Sequence, residues 1–304
     1  MQKGPQTPKG FRDTMPAVAT LRRKLVSVIS EVLEKYKFVP IETPVVEFAD
    51  TLLGKYGEDE KLIYKFEDMG GRKLALRYDL TVPLARFVAN NISLVSPTFS
   101  RYQIGECFRG ENTQKGRYRE FTQFDFDTVG SSNLETDANI IAAAIESAHN
   151  LGLKEAKMAV NDRRNFDGIN IEVVRAVDKI YKIGKEAAKK EVIQKGLTQD
   201  DAKFIDKIEK ISPNKDIKEI FEILKNKYRL KEEDFFFEPF LARGSDYYTG
   251  SIFELKPFGK KEEMSIGGGG RYDNLIGMFL GREIPAVGFS FGIDRLVDIL
   301  QTSA

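Results

Sequence analysis

Residues 101–129 read RYQIGECFRGENTQKGRYREFTQFDFDTV, and this stretch decides the fold. Residues 99–109 and 119–128 have strand character and are joined by the polar loop Gly110 to Tyr118. In Phe121-Thr-Gln-Phe-Asp-Phe-Asp127 a period of two puts Phe124 and Phe126 on one face. Phe121, Gln123, Asp125 and Asp127 share the other. The first face can pack on an apolar layer. The second sets a ring, an amide and two carboxylates in a row, costly to bury without polar partners. A half-exposed antiparallel strand is the plainest reading of the pattern.

Outward from this hairpin, residues 16–36 form an amphipathic helix, with Leu21, Leu25, Val28, Ile29, Val32, Leu33 and Tyr36 at helical spacing and Pro16 near its start. Lys73 to Tyr78 reads as a strand, and Thr81 with Pro83 opens a helix running to about Ala89. Ser132-Asn-Leu-Glu135 has capping-box spacing and begins a helix with Leu134, Ala138, Ile141, Ile145 and Ala148 inward. His149 falls at its end, where the helix dipole favours a cation, so it reads as structural. From Arg175 to Asp234 the chain turns helical, rich in lysine and poor in glycine. Solvated helix faces account for that charge, and charge alone does not make an RNA surface. After Phe235 strands return, and the last element is a helix from Gly292 to Leu300. The expected fold is α+β: a mainly antiparallel sheet flanked by helices, with residues 1–160 and 235–304 as core and 161–234 as an inserted helical module.

Composition narrows the function. The 304 residues carry 47 Lys plus Arg against 46 Asp plus Glu, so any basic surface is local. A single cysteine, Cys107, excludes an intramolecular disulfide framework and fits a reducing compartment. With one histidine, His-rich metal sites are excluded. The apolar run Ile140 to Ile145 is far short of the ~20 residues that span a bilayer. MQKGPQTPKGFRD lacks the apolar core of a signal peptide, so a soluble cytoplasmic protein is expected.

The usual nucleotide loops are missing. There is no Walker motif, and Gly267-Gly-Gly-Gly-Arg271 does not satisfy G-x-G-x-x-G. No Cys-x-x-Cys or H-E-x-x-H pair offers a zinc site. If ATP is used, arginines on a sheet must hold its phosphates. Arg109, Arg117, Arg119, Arg243, Arg271 and Arg295 are available, and guanidinium groups grip phosphate bidentately at every physiological pH. Three of them adjoin glycines (Arg109-Gly110, Arg243-Gly244, Gly270-Arg271), which permit close backbone approach to a ligand.

Arg101-Tyr-Gln-Ile-Gly-Glu-Cys-Phe-Arg109 with Gly116-Arg-Tyr-Arg-Glu-Phe121 resembles motif 2 of class II aminoacyl-tRNA synthetases. Ala286-Val-Gly-Phe-Ser-Phe-Gly-Ile-Asp-Arg295 resembles motif 3, and Pro44 sits where the proline of motif 1 stands at the dimer interface. Leu76-Arg-Tyr-Asp-Leu-Thr81, and Arg243-Gly-Ser-Asp-Tyr-Tyr248 followed by Gly268-Gly-Gly-Arg-Tyr272, narrow the resemblance to the histidyl-tRNA synthetase family. It runs from Pro8-Lys-Gly-Phe-Arg-Asp13 to the last helix.

The resemblance implies roles. Asp79, Thr81 and Gln123 would hold the α-amino group of histidine, while Asp127 and Tyr248, with Tyr247 nearby, would read the imidazole. Arg109 would grip the α-phosphate of ATP, Phe121 would stack on adenine, and Glu111 would orient the base. Arg117 belongs to the same ATP-binding set, and Arg295 would bind the γ-phosphate. Arg243 would be the catalytic cation beside the α-phosphate, with Mg²⁺ bridging the remaining phosphates and no His or Cys metal ligand. The partners implied are histidine, ATP, the histidine tRNA and a second copy of the chain as homodimer. Adenylate formation needs no side-chain nucleophile, which suits a chain with one histidine.

Ser245 replaces the leucine usual in R-G-L-D-Y-Y, and a packing change is all that this implies. The family's C-terminal anticodon-binding domain does not follow the last helix in this sequence, so the chain is expected to be either a catalytic fragment of a longer enzyme or a short paralogue, in which adenylation would persist and tRNA charging would suffer. A silent relative of the family, the regulatory subunit of ATP phosphoribosyltransferase, also lacks that domain. Eroded ATP-binding arginines would mark that alternative, and here they are intact. A third alternative is a short enzyme passing activated histidine to another acceptor.

Overall fold

The structure, a computed structural model, describes residues 4–95, 98–113, 117–242, 247–261 and 263–302. In chain order the elements are α1 (Pro16–Lys35), β1 (Val39–Pro40), β2 (Val46–Phe48), α2 (Ala49–Leu52), β3 (Lys65–Glu67), β4 (Lys73–Leu76), α3 (Thr81–Asn90), β5 (Phe99–Phe108) and β6 (Glu120–Val129). Then come α4 (Leu134–Asn150), β7 (Lys157–Asp162), α5 (Ile171–Asp178), α6 (Ile180–Ile183), α7 (Lys185–Gln194), α8 (Gln199–Ile208) and α9 (Lys215–Asn226). The chain ends with β8 (Phe235–Phe237), β9 (Ser251–Lys256), β10 (Gly267–Arg271), α10 (Gly277–Leu280), β11 (Ala286–Gly292) and α11 (Ile293–Thr302). The expected α+β architecture, strands mainly antiparallel and helices around them, is what these elements build. Two compact units divide the chain: residues 1–127, 275–283 and 290–304 form the first, and 128–274 with 284–289 the second.

In the first unit β1, β5, β6 and the end of β11 lie side by side in that order, with β1 parallel to β5. A smaller antiparallel sheet runs β2-β4-β3. Pro16 opens α1 at a position where its missing N–H costs nothing. Leu25, Ile29, Val32 and Leu33 are its buried stripe, and the helix packs on α11. Phe124 and Phe126 are fully buried, as the alternation requires, and Phe126 packs edge-on to Phe38 and beside Phe291. The other face of β6 departs from the half-exposed strand expected. Asp125 and Asp127 are buried too, because the neighbouring strand supplies an arginine.

In the second unit the order is the start of β11, then β10, β9, β7 and β8. Its helix α4 is capped one residue later than the capping-box spacing suggested: the Asn133 side chain, not Ser132, accepts the backbone N–H of Glu135. His149 lies in the last turn of α4, its Nε2 3.4 Å from the carbonyl of Ala156, in keeping with a structural role. Helices α5 to α9 fill residues 171–226, and β7 and β8 on either side of them pair in parallel, Met158 opposite Phe235. The lysines here are largely answered by acids on the same surface, Lys185 by Asp206 and Glu209 and Lys189 by Asp206 and Glu186.

The glycine run is a strand, not a phosphate loop. A β-carbon on Gly269 would meet the Gly288 carbonyl oxygen at 1.9 Å, and one on Gly270 would meet the Tyr248 ring at 2.8 Å. Glycine lets protein, not ligand, approach at these points. Arg271 next door is likewise structural: buried, it pairs with Asp137 and Asp273.

Candidate active site

The site in the first unit begins with β5 and β6. The Arg109 N–H donates to the Arg119 carbonyl at 2.9 Å. Carried two residues at a time along an antiparallel ladder, this pairing puts odd-numbered residues of both strands on one face and Arg101 opposite Asp127. The side chains agree, with Arg101 Nη2 2.7 Å from Asp127 Oδ2.

Arg109 lies just past the end of β5. Its Nε donates to the Tyr78 carbonyl at 3.1 Å, and its guanidinium sits 4.2 Å from the Tyr78 ring centroid and 4.9 Å from that of Phe121. A cation held between two aromatic faces is fixed in direction without losing its charge. Burial works against that charge, and the acidic groups around it, Tyr78, Cys107, Asp79 and Glu111, raise the Arg109 pKa. Burial also pushes the Tyr78 hydroxyl up to about 12.

Asp79 caps the turn into α3. Its Oδ1 accepts the backbone N–H of Thr81 at 3.1 Å, that of Val82 at 3.0 Å, and the Tyr56 hydroxyl at 3.0 Å. Burial nonetheless holds its carboxyl above the ordinary range. Gln123 on β6 donates from Nε2 to the Ser290 hydroxyl at 2.6 Å, while its Oε1 is buried with no hydrogen-bond partner among the described residues. An amide oxygen left so is an acceptor awaiting a donor.

Asp125 was placed on this face by the alternation but given no role. Burial, then the adjacent charge of Asp127, pushes its carboxyl up to about 7, and Ser290 donates to it. Arg101, Ser290 and Arg77 escaped the sequence reading as site residues. An arginine inside a strand next to tyrosine looks like surface, and only the hairpin pairing puts it under two carboxylates. Cys107 is buried in the same sheet, and burial raises its thiol well above the usual value, leaving it inert.

The remaining expected residues are distributed around this centre. Glu111 Oε2 and Arg117 Nη1 are 3.5 Å apart at the exposed loop, and Arg119 Nε donates to the Glu111 carbonyl at 3.0 Å. Arg295 is half-buried in the first turn of α11. Its neighbour Asp294 accepts the Thr122 N–H at 2.8 Å and pairs with Arg12, tying the N-terminal segment to β6 and α11. Tyr247 and Tyr248 belong to the second unit, their ring centroids 4.9 Å apart, with Tyr248 packed on Leu241, Ile252 and Ala159. Arg243 lies outside the described residues. Among the described residues no three His, Cys, Asp or Glu side chains are grouped to hold a metal ion, and no helix is long and apolar enough to cross a membrane.

Antiparallel strands bearing arginines and carboxylates, with helices around them and no glycine phosphate loop, define the catalytic fold of class II aminoacyl-tRNA synthetases. The family model described as histidyl-tRNA synthetase matches residues 10–213 and 175–296. The histidine–tRNA ligase of Aeropyrum pernix is 43% identical over 97% of this chain and 74% of the relative. The crystal structure of histidyl-tRNA synthetase from Nostoc sp. PCC 7120 is 29% identical with a TM-score of 0.81, over 98% of this chain and 75% of that one. A Bacillus halodurans structure described as an ATP phosphoribosyltransferase regulatory subunit/histidyl-tRNA synthetase shares the fold, at 24% identity and TM-score 0.78 over 98% of this chain and 84% of that one. The chain belongs to the histidyl-tRNA synthetase family.

Proposed function

We propose that the chain activates histidine with ATP to histidyl-adenylate and transfers the histidine to its tRNA. One observation supports this reading: on one face of the β5–β6 hairpin the buried Gln123 Oε1, with no hydrogen-bond partner among the described residues, lies between the Asp127 carboxylate towards one end and Arg109, clamped between Tyr78 and Phe121, at the other. An acceptor for an ammonium, an anion for an imidazole N–H and a cation for a phosphate stand in sequence there.

The bonds of Asp79 fall on Oδ1, which keeps Oδ2 for the histidine ammonium, with Gln123 Oε1 and Thr81 beside it. An incoming cation also offsets the cost of burying Asp79. Asp127 reads the imidazole together with Tyr247 and Tyr248. The histidine carboxylate attacks the α-phosphorus and pyrophosphate leaves, drawing charge onto the phosphoryl oxygens. Arg109 meets that charge without reorganising, a contribution of about 2.7–4 kcal/mol per donor, and Arg243 is the second cation of the reaction. Phe121 and Glu111 position adenine, and Arg117 and Arg295 hold the outer phosphates. Mg²⁺, where bound, would supply charge neutralisation on the phosphates, in keeping with its preference for water and phosphate oxygens. The 3′ hydroxyl of tRNA then attacks the adenylate carbonyl and AMP leaves.

Histidine-dependent exchange of labelled pyrophosphate into ATP tests activation, and transfer of labelled histidine to tRNA tests the second step. Folded protein that fails the exchange but binds the catalytic subunit of ATP phosphoribosyltransferase would establish the regulatory reading instead.

We further propose that residues 161–234 are an insertion in the catalytic core, that the enzyme works in the cytoplasm, and that it is a homodimer through the region of Pro44. Exposed Val45, Val46 and Phe48, with Phe66 two strands away, support the last of these. Clustered apolar side chains of this kind mark association surfaces.

A further inference from the structure

Among the described residues of the first unit, Arg101 is a buried charge with unsatisfied donors. Its side chain is 0% exposed, yet among the described residues Nε, Nη1 and Nη2 make no aligned hydrogen bond, and Nη2 lies 2.7 Å from the Asp127 carboxylate. A guanidinium with five donors is not buried this way for stability, since a packed apolar side chain would serve better. Two carboxyls explain its presence. Asp125 and Asp127 are 2% and 3% exposed on the same strand face, and Asp125 Oδ1 is buried without a partner. Two adjacent buried carboxyls with no cation share a proton instead of both ionising. Only the anion can accept an imidazole N–H.

We propose that Arg101 is a positioning residue for histidine recognition: it supplies the counter-charge that lets Asp127 remain an anion beside Asp125 and aims that carboxylate at the imidazole. The proposal rests on the reading of Asp127 as the imidazole acceptor. Besides Arg101, the groups acting on this pair are Asp79 from the turn before α3 and the Ser290 hydroxyl from β11, with Cys107 of β5 near Asp125. Arg109 is held at Tyr78, and among the described residues Arg101 is a cation paired with Asp127. Ser290 accepts from Gln123 and donates to Asp125, so the second carboxyl is tied to the amide that holds the ammonium.

The test is KM for histidine and for ATP in pyrophosphate exchange, below and above neutral pH, for Arg101→Gln, Arg101→Lys, Arg101→Gln with Asp125→Asn, and Asp127→Asn. Arg101→Gln should raise KM for histidine roughly tenfold or more while KM for ATP barely moves. The loss relative to wild type should grow as pH falls, because the uncompensated pair then holds its shared proton more firmly. Arg101→Lys should recover part of it. Adding Asp125→Asn should recover most, since one carboxyl needs no third partner. A KM unchanged by Arg101→Gln, or a loss that neither varies with pH nor yields to Asp125→Asn, overturns the proposal. If Arg101→Gln does not fold, restored folding in the double variant supports it and failure there overturns it. Asp127→Asn separates the two ideas: unchanged histidine KM sinks the imidazole reading, whereas a raised KM with Arg101→Gln silent sinks the role of Arg101 alone.

Discussion

The guanidinium of Arg77 occupies the space that a side chain at Gly105 would need: a β-carbon there would meet Nη2 at 2.1 Å. Arg77 crosses the centre of β5 to donate from Nε to the Glu106 carbonyl at 2.7 Å and from Nη1 to the Thr43 carbonyl at 2.9 Å. It thereby joins the strand before Asp79 to the strand before Arg109. Gly105→Ala should force that arginine out and destabilise the protein by about 1–3 kcal/mol or more, read from denaturant unfolding. An unchanged midpoint would mean that Arg77 has another route.

Arg109 is clamped by Tyr78 and Phe121 before any substrate arrives, which is what preorganised charge stabilisation requires. Arg109→Ala should lower kcat for pyrophosphate exchange about 10²–10³-fold and leave the circular dichroism spectrum intact. A KM effect with normal kcat would make Arg109 a binding residue only.

The Asp125 carboxyl, raised to about 7 by burial and by Asp127, makes stability depend on pH. Its value in the unfolded chain is about 3.9. Between the two values the folded state binds the proton and the unfolded state does not, so its stabilising contribution is full at low pH and is lost as pH rises through about 7. Asp125→Asn keeps the neutral form at every pH. Its stability relative to wild type should therefore rise as pH climbs from about 4 to about 7 and level off above, and a constant difference would contradict this.

In the second unit Asp137, fully buried on α4, pairs with Arg271 and accepts the Ser251 hydroxyl. Breaking such a pair leaves an uncompensated buried charge. Arg271→Met should cost about 3–5 kcal/mol in unfolding free energy. A loss in exchange activity without a loss of stability would return Arg271 to the list of ligand-binding arginines.

Association through the exposed apolar strand at Phe48, 59% exposed, is open to sedimentation. The wild type should run as a dimer at micromolar concentration and Phe48→Glu should shift it toward monomer. A monomeric wild type removes the homodimer.

The two faces of β6 show how far the sequence could be read. Burial of Phe124 and Phe126 followed from a period of two and needed no neighbour. Burial of Asp125 and Asp127 could not follow, because its cost depends on a cation 26 residues earlier in the chain than Asp127. The capping of α4 slipped by one residue for a smaller reason of the same kind: Ser and Asn compete for the first free N–H, and local geometry chooses.

Residue type and spacing alone thus determined the alternation of strands, the helical stripes, the absence of a glycine phosphate loop and the set of arginines. These depend on chain-local periodicity, which tertiary structure does not alter. Which arginines pair with groups of the protein was decided only in three dimensions. Arg271 finds Asp137, Arg77 finds two carbonyls, Arg101 finds Asp127, and Arg109 is left aimed between two rings. A guanidinium takes its role from the groups that surround it, and those come from distant parts of the chain.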